Sequence, residues 1–347
     1  MDRDFLNKLL TTVSVSGNEE ANQFNALEYG KDFSDKQCVD AVGGTYSIIN
    51  PEAECRILLS GHMDEIGFRV TYIDGRGLIH VQRAGGVRPK LYVGQPMQII
   101  HDGNKVQGVG CVSREMLNDT EFSDKKLLID IGAESKEQAE KYVSVGDSVC
   151  ADTVVHELLN DNFSSRALDD KTGAFVILEA AKRAKEKGVK NGVYAHTSVG
   201  EESSGRGAYY AGADVKPSCA VVVDVTWASD CPGTDPAETG DIALGKGPVL
   251  CLSGMVNKQL NKLMEEIAGE KNIPLQYEIA GGRTSTDGDT IAFTNEGCPL
   301  VLVSIPLRYM HSSVEVANWN DLENCIELIS EFAVRMDKDF DYRPIKL

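Results

Sequence analysis

The chain has 347 residues, of which 42% are hydrophobic, enough for two domains of ordinary size and a substantial core. This composition excludes a disordered chain, a collagen and a coiled-coil rod. The formal net charge of -18 disfavours sequence-independent binding to nucleic acid phosphates or anionic lipid, and it favours a neutral, cationic or metallic partner.

Apolar runs alternate with helically spaced apolar residues along much of the chain. The first predicted strand covers residues 56–60. After an intervening stretch come a helix over 174–184, strands over 193–199 and 220–223, a helix over 260–267, a strand over 300–305 and a helix that begins at Asn320. Asn320 and Glu323 have the spacing of a capping box, which is typical of a helix start. These elements predict an α/β fold with an open mixed sheet flanked by helices.

The stretch between the first strand and the first helix has a different texture. Short β-type runs are separated by turns that contain glycine, with runs at 68–73, 78–81 and 97–100 and turns at Asp74-Gly75 and Asp102-Gly103. This pattern predicts a small all-β domain over residues 68–151. It would be inserted into an α/β domain formed by residues 1–67 and 152–347.

The amino terminus and the cysteines indicate a cytoplasmic protein. The chain opens without the basic start and apolar stretch of a secretory signal, and no later run approaches the length that spans a membrane. The nine cysteines are scattered and lack any Cys-x-x-Cys pair. We therefore expect reduced, mostly buried thiols rather than disulfides or a zinc ribbon.

Acidic and imidazole side chains follow the predicted apolar strands. In an open α/β sheet, ligands bind outside the carboxyl ends of the strands, so these side chains are expected to meet at one edge. A further pair, Asp169 and Asp170, stands just ahead of the helix over 174–184. The four strands deliver, in chain order, His62 and Asp64, then Glu201 and Glu202, then Asp224, and finally His311.

Two imidazoles and several carboxylates at one edge predict a divalent metal site. Taken singly, such an Asp is more often a helix cap and such a His more often a structural residue, so the prediction depends on their joint placement. Imidazole and carboxylate ligands suit zinc, cobalt or manganese, whereas calcium sites use oxygen alone. A single metal needs about three protein ligands, and the surplus of carboxylates therefore predicts two metals.

Five motifs occur in order along the chain, and together they carry a family resemblance. They are HMDEIG at 62–67, RALDDKTG at 166–173, EESSGRGA at 201–208, DVT at 224–226 with PG at 232–233, and RYMHS at 308–312. In content and order they resemble the glutamyl aminopeptidase family of dinuclear metallopeptidases, which includes the tetrahedral (TET) aminopeptidases. The resemblance implies that the α/β part is a catalytic domain like those of zinc peptidases.

The resemblance implies a role for each matched residue. Asp169 resembles the bridging carboxylate, His62 and Asp224 complete one metal, and Glu202 and His311 complete the other. Glu201 resembles the catalytic base, and Asp64 resembles the carboxylate that holds His62. Two divalent metals, zinc or cobalt and alternatively manganese, would convert a bound water to hydroxide by lowering its pKa towards about 7. Glu201 would accept the proton and pass it to the leaving amine.

The implied activity is the removal of N-terminal residues from peptides with a free N-terminus. Two other functions stay open. A deacylase or carboxypeptidase-like amidohydrolase could use the same metal centre, and a non-catalytic, metal-stabilised assembly could retain it. The presence of Glu201 argues against the assembly, because a structural metal site needs no carboxylate beyond its ligands.

The resemblance also implies a homo-oligomer, which could be a tetrahedral dodecamer built through the inserted β domain. That domain would then also restrict the access of substrates, and no nucleic acid or membrane partner is expected. Two residues leave the specificity open. Trp227 is interpreted as core rather than pocket. Arg283, in the glycine-rich segment 281–288, either faces the pocket and favours an acidic substrate residue or is a surface charge.

Overall fold

The computed structural model describes residues 1–345, which contain seventeen strands and ten α-helices. The strands are β1 (Lys36–Val39), β2 (Thr45–Ile49), β3 (Arg56–His62), β4 (Gly67–Ile73), β5 (Ile79–Ala84), β6 (Pro96–His101), β7 (Asn104–Gly110), β8 (Leu128–Asp130), β9 (Ser148–Ala151), β10 (His156–Glu157), β11 (Asn162–Ser165), β12 (Gly192–Ser198), β13 (Cys219–Trp227), β14 (Val249–Ser253), β15 (Gln276–Ala280), β16 (Leu300–Leu307) and β17 (Glu315–Asn318). The helices are α1 (Arg3–Thr11), α2 (Glu20–Gly30), α3 (Arg114–Asn118), α4 (Lys136–Ala139), α5 (Leu168–Glu186), α6 (Arg206–Val215), α7 (Pro236–Thr239), α8 (Lys258–Lys271), α9 (Gly288–Ile291) and α10 (Trp319–Arg335).

An eight-stranded mixed sheet, with strand order β1-β2-β12-β3-β13-β16-β14-β15, organises the larger part of the chain. The four central strands β12, β3, β13 and β16 run parallel to one another. Helices α1, α5, α8 and α10 contribute to the core on one face, and α6 and α9 to the core on the other. Because both faces are covered, the central strands are almost continuously buried and carry apolar runs, and these runs make them recognisable in the sequence. The predicted mixed sheet flanked by helices is confirmed.

A closed six-stranded barrel, with strand order β4-β5-β8-β7-β6-β9, forms between β3 and β11 of the chain. It has a hydrophobic core of its own, which includes Met97, Ile99 and Val149. In this core Phe68 packs edge-on against Tyr92, with ring centroids 5.0 Å apart. The small all-β portion predicted for this stretch is therefore present. A separate three-stranded sheet, β10-β11-β17, pairs the two strands that precede α5 with the strand that precedes α10.

Helix α10 begins at Trp319 and is capped by a residue that the sequence pattern did not indicate. The side chain of Asn318 accepts a hydrogen bond from the backbone N–H of Asn320, at 2.9 Å. Glu323 instead forms an ion pair with Arg183 at 2.7 Å. The predicted capping box between Asn320 and Glu323 is wrong, because Asn318 already supplies the cap and leaves Glu323 free to pair across to α5.

Within residues 1–345, none of the helices combines the length and the hydrophobicity needed to cross a bilayer. All nine cysteines lie in this described range and are free thiols, and six of them are buried.

Candidate metal centre and active site

The parallel strands of the central sheet end at a cavity of about 390 Å³. His62 is the last residue of β3, and Asp224 lies near the end of β13. The loops after β12 and β16 bring further residues to the same place, because the carboxyl ends of parallel strands share one edge of a sheet. The residues predicted as metal ligands and base all line this cavity: His62, Asp169, Glu201, Glu202, Asp224 and His311.

The carboxylate of Asp169 lies between two imidazoles. Its Oδ1 is 3.2 Å from Nε2 of His62, and its Oδ2 is 3.2 Å from Nε2 of His311. Two groups of potential ligands share Asp169, and within each group the ligand atoms lie within 4.8 Å of one another. One group is His62, Asp169 and Asp224, and the other is Asp169, Glu202 and His311. This arrangement suits a carboxylate that bridges two cations.

The charge of these groups provides a test of whether cations fit. Burial raises the pKa of Glu202 and that of Asp224 well above the usual range for carboxyl groups. Oε1 of Glu202 is buried and accepts no hydrogen bond within residues 1–345, and Nε2 of His311 lies 3.6 Å away. Because buried carboxylates need a counter-charge, this donor set of imidazole nitrogens and carboxylate oxygens fits divalent cations.

Asp64 contacts both His62 and the loop that carries the two glutamates. Nδ1 of His62 is 3.0 Å from the backbone oxygen of Asp64 and 3.4 Å from its Oδ1. The same carboxylate accepts hydrogen bonds from the backbone N–H groups of Glu201 at 3.0 Å and Glu202 at 3.2 Å. Asp64 therefore holds the imidazole largely through its backbone and fixes the Glu201–Glu202 backbone with its side chain. A proton held at Nδ1 leaves Nε2 available as a ligand.

Glu201 lines the cavity beside the proposed ligands. Its Oε2 is 3.9 Å from Nε2 of His62. Burial, reinforced by the nearby carboxylates Asp224, Asp287 and Asp169 and opposed by His62, raises the pKa of Glu201 to about 9. Divalent cations in the cavity would counteract these neighbouring negative charges, and the ionised carboxylate of Glu201 could then accept a proton.

Two further carboxylates organise the backbone around the cavity. Glu315, in β17, accepts hydrogen bonds from the N–H of Asp169 at 3.2 Å and from the N–H of His311 at 2.9 Å. Asp170, adjacent to Asp169, accepts from the N–H of His62 at 3.1 Å and is fully buried. Asp170 was expected to be close to the site, whereas Glu315 was missed because it lies outside the matched motifs.

Glu65, Arg166 and Lys171 form a buried ion cluster, and two of its members, Arg166 and Lys171, lie close to Asp169 in the chain. Oε1 of Glu65 is 2.7 Å from Nζ of Lys171, and its Oε2 pairs with Arg166. Burial would raise the pKa of Glu65, but the two cations lower it to about 2. Lys171 also donates a hydrogen bond to the backbone oxygen of Thr12 at 2.8 Å. The ion cluster thus ties the start of α5 to the segment after β3 and to the end of α1.

Of the two residues left open for specificity, Trp227 lines the cavity and Arg283 does not. Trp227 is 40% exposed and lines the cavity, so its interpretation as core is wrong. It is the last residue of β13, beyond the part of the strand that the helices cover. Arg283 is exposed and is not among the lining residues, although Thr284, Ser285 and Thr286 are.

Comparisons with known proteins agree over nearly the whole chain. Residues 43–328 match the family model described as M42 glutamyl aminopeptidase. A putative aminopeptidase of Acetivibrio thermocellus is 36% identical over 335 residues, which cover 94% of this chain and 97% of that protein. The solved TET aminopeptidase of Thaumarchaeota archaeon SCGC AB-539-E09 has a TM-score of 0.90 at 31% identity, with 97% of each chain covered. The Pyrococcus horikoshii TET1 peptidase, which can assemble into a tetrahedron or a large octahedral shell, has a TM-score of 0.86 at 29% identity, with 96% of this chain and 99% of that chain covered.

Proposed function

The chain belongs to the M42 glutamyl aminopeptidase family and is therefore an aminopeptidase, and from this premise we propose that it uses two divalent metal ions and Glu201 as general base. The observation that carries the proposal is the placement of Asp169. Its two carboxylate oxygens each lie 3.2 Å from Nε2 of a different histidine, so a single side chain belongs to both groups of potential ligands.

His62, Asp169 and Asp224 would hold one metal ion, and Asp169, Glu202 and His311 would hold the other. When bound, two divalent cations supply Lewis acidity towards the scissile carbonyl and towards a water molecule. The ligand atoms suit zinc or cobalt, and manganese also fits them. Glu315 and Asp170 keep the ligand-bearing segments in place through hydrogen bonds to their backbone N–H groups.

Glu201 would take a proton from the attacking water and deliver it to the leaving amine. Cations bound at the neighbouring ligands would offset the negative charge around Glu201 and keep its carboxylate ionised, as a base requires. Asp64 positions this base by binding its backbone N–H. The excess of carboxylates in the cavity favours the cationic free N-terminus of a peptide over a blocked one.

We also propose that residues 1–67 and 152–347 form the catalytic domain and that residues 68–151, which contain all of the barrel except Gly67, mediate assembly into a homo-oligomer and limit substrate access. The assembly of the related Pyrococcus horikoshii TET1 peptidase into closed shells supports this idea. A dodecamer is one such assembly. The nine free thiols support a reducing compartment such as the cytoplasm.

The test is hydrolysis of peptides with free and N-acetylated termini by protein stripped with a chelator and reloaded with zinc, cobalt or manganese. We expect metal-dependent cleavage of free N-termini only, with two ions bound per chain. Glu201→Gln should lower kcat by about 100- to 10,000-fold and leave the metal content unchanged. The exposed Glu296→Gln is the matched control.

Three results would change the proposal. Equal cleavage of acetylated peptides would favour a deacylase. An unchanged kcat for Glu201→Gln would remove Glu201 as the base. No turnover with any of the three metals would favour a non-catalytic assembly.

A further inference from the structure

The cavity holds one acidic side chain that the metal centre does not use. Glu278 lies on β15, the edge strand of the central sheet, and its carboxylate reaches into the cavity. It accepts hydrogen bonds from the hydroxyls of Thr226 and Ser304, the latter at 2.7 Å. Both of these residues also line the cavity. Glu278 is therefore fixed within the same cavity as the proposed ligands.

The strand register relates this carboxylate to the metal ligands. Ser304 on β16 is the direct partner of Asp224 on β13, and neighbouring strands lie about 4.8 Å apart. Partnered residues of parallel strands share one face of the sheet, so Ser304 presents the Glu278 carboxylate next to the position of Asp224. A peptide whose N-terminus sits at the metal ligands can thus bring its first side chain to Glu278.

The interaction partners of Glu278 in the described part of the chain are neutral. They are the hydroxyls of Thr226 and Ser304 and the thiol of Cys251. Burial raises the pKa of Glu278, and these three donors oppose that increase only in part. A partly buried carboxylate with neutral neighbours is stabilised by any cation that enters the cavity.

The rest of this part of the cavity is suited to a long aliphatic chain. Its lining includes the apolar residues Trp227, Ala280, Leu302 and Met310. A lysine or arginine can pack its methylene groups against such a wall while its charged end reaches a carboxylate. An acidic substrate residue would face the carboxylate of Glu278, and the exposed Arg283 lies outside the lining.

We propose that Glu278 makes this enzyme select peptides whose N-terminal residue is lysine or arginine, by pairing with the cationic end of that side chain. The inference rests on the proposed aminopeptidase function and names the substrate class of the same cavity.

The experiment compares kcat/KM for one peptide series, Xaa-Ala-Ala with Xaa as Lys, Arg, Leu, norleucine or Glu, in the metal-loaded wild type, Glu278→Gln and Glu265→Gln. Norleucine is the uncharged counterpart of lysine. Glu265→Gln is the matched control, because its exposed carboxylate is bonded by Tyr277, the neighbour of Glu278, at 3.3 Å.

In the wild type we expect Lys and Arg to exceed norleucine by about 30- to 100-fold in kcat/KM. Glu278→Gln should remove that advantage and leave norleucine and Leu within about threefold of the wild type, whereas Glu265→Gln should change neither. Since Gln has the size of Glu, folding is expected to persist, and a thermal melt verifies it. If the variant does not fold, the wild-type ratio of Lys to norleucine decides the proposal.

Preference for norleucine, Leu or Glu in the wild type would overturn this inference and leave the aminopeptidase intact. An equal loss for all peptides in Glu278→Gln would make Glu278 a structural residue and would likewise overturn it. Absence of cleavage for the whole series under every metal would instead refute the proposed function, and the substrate preference with it.

Discussion

Replacing Glu65 with Gln tests the buried ion cluster that holds the start of α5. Glu65, Arg166 and Lys171 are respectively 2%, 3% and 0% exposed, so solvent screens their charges little. The carboxylate of Glu65 is paired with both cations and also accepts a hydrogen bond from the N–H of Ser14 at 2.9 Å. The Glu65→Gln variant keeps the volume of the side chain but removes its charge.

The loss of stability depends on whether Arg166 and Lys171 stay charged once the carboxylate is removed. Breaking a buried ion pair by removing one partner costs about 3–5 kcal/mol, because the other charge stays buried without compensation. Burial lowers the pKa of Lys171 to about 8 even with Glu65 beside it. Without that carboxylate Lys171 can release its proton near neutral pH, whereas Arg166 stays charged. We therefore expect a loss at the lower end of this range, about 3 kcal/mol.

Thermal and urea unfolding of the metal-free protein measure this loss. At about 2 °C per kcal/mol for a chain of this size, Tm should fall by roughly 6 °C. Glu28→Gln is the control, because it removes the same charge from an exposed ion pair with Lys31 and should leave Tm unchanged. A Glu65→Gln protein that melts within 1 °C of the wild type would refute the argument that a buried carboxylate compensates both cations.

Three further predictions concern stability and metal binding. Burial raises the pKa of Asp321 to about 6 from an ordinary 3.8, so its contribution to stability is fully present below about pH 4 and is lost as the pH rises through 6. Relative to Asp321→Asn, the wild type should lose up to about 3 kcal/mol between pH 4 and 7.5 in urea titrations, and parallel pH curves would contradict this. Glu315→Gln should weaken metal binding by about 10- to 100-fold in calorimetric titrations, because Glu315 holds the backbone of both Asp169 and His311. An unchanged affinity would contradict this role. Chelation should lower Tm reversibly, and an identical Tm with and without zinc would argue against the site.

The central strands could be predicted because both faces of the sheet are covered. β3, β12, β13 and β16 are buried along almost their whole length and each begins with an apolar run, and the polar residues lie towards the carboxyl end of each strand or just beyond it. Parallel direction then brings those residues to one edge. The structure accordingly gathers the predicted ligands and Glu201 in one cavity.

Residues that contact the site from a distant part of the chain had no such signal in the sequence. Glu315 reaches both Asp169, which precedes it by 146 positions, and His311 on the preceding loop. Such a contact depends on how β17 packs beside α5, which no local pattern records. The capping of α10 failed for a related reason, because Asn318 and Asn320 are equally good caps by residue type and only the end of β17 decides between them.

The strand β15 shows why the proposed specificity residue was out of reach of pattern analysis. Along Gln276–Ala280 polar and apolar residues alternate, and a half-buried strand normally turns its apolar side inwards. Here Tyr277 and Ile279 are 39% and 56% exposed, while Gln276 is buried and Glu278 points into the cavity. The reversal is possible because the inward polar groups find partners. Gln276 bonds to backbone groups of Ala243 and Gly247, and Glu278 accepts hydrogen bonds from two hydroxyls. A strand that turns a carboxylate inwards and leaves two large apolar residues in solvent forgoes hydrophobic burial, and such departures from local rules are expected where function requires them.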